Sequence, residues 1–112
     1  MSNIIAKYDG AHYNTRITVP AGQSRLFTSF VRGPATVSIH AVGEGVSALV
    51  EASNSPSEFK TTPSSLLFFP AAFAGDGGVL NNSAAATDLP APLTALRVTA
   101  TGTAPVTFEV KQ

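Results

Sequence analysis

The stretch Ala35–Val42, ATVSIHAV, places Val37, Ile39 and Ala41 on alternate positions and Thr36, Ser38 and His40 between them. Side chains of a strand point to opposite faces in turn, so this period of two fits a strand with one dry and one wet face, and excludes an amphipathic helix. The last seventeen residues, LRVTATGTAPVTFEVKQ, repeat the pattern. Leu96, Val98 and Ala100, then Val106, Phe108 and Val110, share one face; Arg97, Thr99, Thr107, Glu109 and Lys111 take the other. Gly102 between them reads as the turn of a β-hairpin, because glycine tolerates the positive φ of tight turns.

Further strands are expected at Arg16–Val19, Arg25–Arg32, Ser47–Ala52, Ser65–Phe69 and Asn3–Tyr8. Between them lie the turn sequences Pro20-Ala-Gly22, Gly33-Pro34, Gly43-Glu-Gly45 and Asn54-Ser-Pro56. Short strands at such spacing predict an all-β chain, an antiparallel β-sandwich of jelly-roll type with about seven to eight strands. Residues 1–112 are read as one domain, with 1–13 as an N-terminal arm. Ser55-Pro56-Ser57-Glu58 has the form of a capping box, but Thr61, Thr62 and Pro63 limit it to one helical turn. The stretch 70–92, PAAFAGDGGVLNNSAAATDLPAP, breaks the alternation and is expected to be one long loop.

Composition narrows the function. Seven Lys and Arg balance seven Asp and Glu, so no net field draws the chain to nucleic acid or an anionic membrane. Only 12% of residues are charged, roughly half the usual share, so the surface must rely on hydroxyls. The absence of Cys removes disulfides, thiolate metal sites and cysteine nucleophiles. No apolar run is long enough to span a bilayer, and MSNIIAKYDGAHYN lacks the basic and apolar regions of a signal peptide, so a cytoplasmic origin is expected.

Reactive groups are sparse. His12 and His40 have no partner ligand at a useful spacing, and Asp76 in AGDGG lacks the downstream oxygens of a calcium loop. Asn81-Asn82-Ser83 is a bare sequon, and no Gly-x-Ser-x-Gly elbow or phosphate-binding glycine loop occurs. The chain is therefore read as non-enzymatic, without metal or cofactor. The exception to its blandness is Leu66-Leu67-Phe68-Phe69-Pro70, followed by Phe73. Four consecutive large apolar residues in a strand need cover on both faces. The second face meets either the following loop or another protein chain.

The phrases GPATVSIHAV, SALVEAS and TALRVTATGTAPVTFEVKQ resemble small virion proteins of tailed bacteriophages, and the chain over most of residues 14–112 is similar to head decoration (cement) proteins. That resemblance implies a structural protein on the outer surface of the capsid, bridging copies of the major capsid protein and acting as a dimer or trimer. The expected contact residues are Phe68, Phe69, Phe73 and Leu80 of the apolar run and loop, with Ile4, Ile5 and Tyr8 of the arm. A tail-fibre or adhesin-type carbohydrate- or receptor-binding module shares the same style, and a small hydrolase on a jelly-roll scaffold is the remaining alternative.

Overall fold

The computed structural model describes residues 4–8, 13–28, 35–89 and 94–112. Its strands are β1 Ile4–Tyr8, β2 Tyr13–Val19, β3 Ser24–Thr28, β4 Ala35–Ala41, β5 Ser47–Ser53, β6 Phe69–Pro70, β7 Val79–Asn81, β8 Ser83–Leu89, β9 Ala95–Ala100 and β10 Val106–Lys111. They form two antiparallel sheets. One runs β1-β2-β10-β4-β8; the other runs β3-β9-β5-β6, with β7 also paired to β5. The expected all-β sandwich is what the chain forms.

The alternation explains how the sheets face each other. Ile17 and Val19 of β2, Val37 and Ile39 of β4, and Val106, Phe108 and Val110 of β10 line the inside of the first sheet. Phe27 of β3, Leu96 and Val98 of β9, Ala48 and Val50 of β5, and Leu80 of β7 close over them from the second. Burying each branched or aromatic side chain contributes roughly 1.5–3 kcal/mol, which makes this layer the main stabilising element.

The C-terminal pair is not a hairpin. β9 lies in the second sheet between β3 and β5, whereas β10 lies in the first between β2 and β4. Both strands aim alternate residues at one core, but from opposite walls. Period two fixes which face is dry and says nothing about the neighbour. Residues 101–105 carry the chain from one sheet to the other, pinned where the Thr101 amide donates to the Ser47 carbonyl (3.0 Å) and the Thr103 amide to the Gly45 carbonyl (3.0 Å). Gly102 does not adopt the positive φ expected of it; a side chain there would instead overlap the Gly45 carbonyl oxygen.

The stretch 70–92 is also more ordered than expected, since it supplies β7 and all of β8. Alanine is a poor strand former, so SAAATDL gives little local signal. β8 forms because β4 offers it a full ladder, with Val37 opposite Thr87 and Ile39 opposite Ala85. Its small residues suit the place, because the 3-10 turn Ala72–Ala74 packs alongside.

Conversely, Ser65–Phe69 is not a strand: Pro63–Ser65 is a 3-10 turn and only Phe69–Pro70 pairs with β5. The capping box does not form either. The 3-10 turn Ser57–Thr61 has Pro56 at its N-cap and no side-chain cap bond. Over Ile4–Tyr8 the N-terminal segment is an edge strand on β2 rather than an arm.

The turn between β7 and β8 rests on Asn82, which holds a positive φ of 43°. Its amide donates to the Val46 carbonyl (2.9 Å), and its Oδ1 accepts from the Gly43 amide (2.8 Å), tying this turn to the one between β4 and β5. Asn82→Ala is expected to lose about 1–2 kcal/mol in denaturant unfolding, because it forfeits the side-chain bond and keeps a Cβ in the left-handed region. Asn82→Gly, which loses only the bond, should lose less.

Candidate functional site

The outward side chains of the two sheets differ in kind. On the first sheet, Arg16 of β2 pairs with Glu109 of β10 through two nitrogens at 2.9 and 2.8 Å, and His40 Nε2 of β4 lies 3.9 Å from the other Glu109 oxygen. The Thr36 hydroxyl donates to Asp88 of β8 (2.9 Å), and Thr18 faces Thr107 at 3.4 Å. Direct cross-strand register places these groups together: Glu109 sits opposite Arg16 on one side and Ser38 on the other. A groove of about 480 Å³ runs here, lined chiefly by Asn14, Arg16, Thr36, Ser38, Glu109 and Lys111. Thr15 also borders it, and its buried hydroxyl makes no hydrogen bond among the described residues.

The second sheet presents a different surface. Arg97 of β9 donates to Glu51 of β5 (2.9 Å) and lays its guanidinium 4.0 Å from the centre of the Phe68 ring. Its charge is thereby neutralised on one side and stacked on the other. Along the edge of this sheet three large apolar side chains are open, Leu67 at 78% exposure, Val79 at 45% and Phe69 at 44%; on the first sheet Val42, just after β4, is open as well. Val79 is opposite Leu49 on the outer face, whereas Phe69 is opposite buried Ala52 and so projects past the edge from the inner side; the two are exposed along one edge of β5 but on different faces.

A hydroxyl network holds the exposed run in place. The Leu67 amide donates to Ser55 Oγ (2.9 Å), the Ser55 amide donates to Ser53 Oγ (3.2 Å), and the Thr94 hydroxyl donates to the Ser55 carbonyl. The serine expected to cap a helix therefore anchors Leu67 instead.

The residues expected to make contact do not come together. Leu80 is a core residue, and Phe73 is partly buried against the same core. Phe68 is half-buried under Arg97, and Phe69 alone of that set is well exposed. Ile4, Ile5 and Tyr8 lie on β1, the edge of the first sheet farthest from β8, and their side chains are outside the described residues. The reading in which the following loop covers the run does not hold: Leu66 is buried, whereas Leu67 and Phe69 face solvent and the following segment does not cover them. Leu67 and Val79 belong to the surface although sequence reasoning did not single them out. The LLFFP run was a signal for the first; nothing local marks the second.

His40 is exposed on the polar face, Asp76 opens the 3-10 turn Asp76–Gly78, and His12 and Asp9 lie outside the described residues. Among the described residues no group of three His, Cys, Asp or Glu side chains converges where it could hold a metal ion.

No protein-family model matches the sequence, and no curated protein matches it. The likeness to solved structures is one of shape. The cupin domain of an XRE family transcriptional regulator from Enterobacter cloacae is 9% identical, with 97% of this chain and 94% of that one covered and a TM-score of 0.52. A cupin domain from Bordetella pertussis is 11% identical over 99% of this chain and 91% of that one, with a TM-score of 0.51. An oxalate oxidase is 12% identical with a TM-score of 0.50, and this chain spans 40% of its length. The fold is thus a cupin-like, jelly-roll β-sandwich. Fold alone does not carry function, since one scaffold hosts enzymes and regulators alike. Among the described residues the buried polar side chains are hydroxyls, Thr15, Ser53 and Thr94.

Proposed function

We propose that this chain is a non-enzymatic structural protein of a phage virion, which binds the outer surface of the capsid and stabilises it by bridging copies of the major capsid protein. The observation that carries the reading is the contrast between the two outer faces. Leu67, Phe69 and Val79 are open to solvent along the β6–β7 edge of the second sheet, whose outer face carries the charge-neutral Arg97–Glu51–Phe68 cluster, while the outer face of the first sheet carries the Arg16–Glu109 and Thr36–Asp88 pairs, with Val42 exposed at the end of β4. Exposed aromatic and aliphatic groups around a neutralised arginine are the composition of protein-docking surfaces. The sequence resemblance supplies the kind of partner. On a shell each copy is one of many, so individually modest contacts add up to a large resistance to rupture.

The test is direct. Purified protein mixed with undecorated heads should sediment with them and saturate, and decorated heads should survive heating that opens bare ones. Heads that pellet without the protein would overturn the reading.

A second reading, a carbohydrate-binding module of a tail fibre or adhesin, draws on the groove of the first sheet, with its charged and hydroxyl side chains. It has the size of a small-ligand site. Glycan binding lost in Arg16→Ala, without capsid binding, would favour it.

A further inference from the structure

A sandwich of two open sheets has four edges, and three of these carry a device against pairing with another chain. β1 contains Lys7. β3 places Arg25 in the inward row opposite Val98, an inward-pointing charge, with its guanidinium donating to the Ser24 carbonyl (2.9 Å). The β6–β7 edge is broken into strands of two and three residues and contains Pro70.

β8 has none of these. It is seven residues long, SAAATDL, free of Pro, Gly and Lys. Its one charge, Asp88, lies near its end and accepts from Thr36. Ala84, Ala86 and Asp88 are exposed. The turn Ala72–Ala74 packs beside it, yet among the described residues no backbone hydrogen bond reaches β8 other than those of its ladder with β4.

We infer that the outer edge of β8 is the site where a second copy of this chain adds, β8 pairing antiparallel with β8 across a two-fold axis. The strand is self-complementary in the register centred on Ala86. There Asp88 of one copy faces Ala84 of the other, residue 85 faces 87, and Ala86 faces itself, so no like charges meet and every side chain on the outer row is small. The two five-stranded sheets become one continuous sheet. Both polar faces lie on one side of it, and both apolar surfaces lie on the other, beyond the second sheets. A dimer would thus present two copies of the Leu67–Phe69 surface, which is independent of what that surface binds.

Ala86 gives the test, because it is exposed and the chain has no cysteine. Analytical ultracentrifugation of the wild-type protein should show a species of twice the 11.5-kDa chain mass. Ala86→Lys sets two ammonium groups opposite each other and should weaken association roughly tenfold or more, with the melting curve of the monomer unchanged. Ala86→Cys should cross-link into a covalent dimer on mild oxidation, since directly opposed Cα atoms fall within disulfide range. A wild-type monomer, a dimer indifferent to A86K, or failure of A86C to cross-link would each overturn the inference. The first of these, with capture of an extended peptide at β8, would assign the edge to a different chain.

Discussion

Replacing Phe108 by alanine is expected to lower the folding stability by about 3–5 kcal/mol. Phe108 is fully buried in β10, the middle strand of its sheet, where it stands between Ile17 on β2 and Ile39 on β4. Strands on both sides and the apolar layer of the second sheet fix its surroundings, so the cavity left behind has little freedom to collapse. A domain of this size is stable by roughly 5–15 kcal/mol, so the loss is a large part of the whole. Denaturant unfolding measures it. Phe69→Ala is the control: a ring 44% exposed at a two-residue edge strand should cost less than about 1 kcal/mol. Equal losses at the two positions would mean that the core is not where the structure places it.

The second large effect is expected at Gly102. A methyl group there would overlap the Gly45 carbonyl oxygen and lie 3.0 Å from the Ser47 amide nitrogen, both main-chain atoms that cannot rotate away. The same two residues accept hydrogen bonds from the amides of Thr101 and Thr103, so making room for the methyl pulls the link between β9 and β10 off its support. Gly102→Ala should therefore cost roughly 3 kcal/mol. Gly22 provides the comparison. It has a positive φ of 75° but no atom within 4 Å of a built Cβ, so Gly22→Ala should cost only the conformational strain, about 1 kcal/mol. If the two substitutions cost the same, close approach is not what Gly102 serves.

These two sites show what could be read in advance. Phe108 was legible as a core residue because the alternation of VTFEV leaves it no other face, and the same holds for Val37 and Ile39 in ATVSIHA. Gly102 was legible as a special position but for the wrong reason, since its neighbour Gly45 lies 57 residues away and a close approach between loops leaves no local trace. Partner strands were hidden for the same reason: β9 and β10 read as a hairpin because they are adjacent in sequence, yet they belong to opposite sheets. β8 was missed because alanine and threonine match a loop as well as a strand until β4 is beside them. The candidate surface was half visible. Leu66–Pro70 announced itself by being too apolar for a strand with one wet face, but the sequence could not say that Leu66 turns in, that Phe68 lies under Arg97, or that Leu80 completes the core. Arg97 and Glu51 are 46 positions apart and meet only through the β5–β9 register.

The central proposal is that the protein acts by holding the exposed apolar edge of its second sheet against a larger assembly. The most direct measurement compares the binding of two variants to undecorated heads: Leu67→Asp with Phe69→Asp on that surface, and Arg16→Ala in the polar groove. Both sites are exposed, so both variants should keep the wild-type fold. The surface variant is predicted to bind at least about thirtyfold more weakly, the groove variant like the wild type. Unchanged binding by the surface variant, or binding lost in the groove variant, would contradict the account.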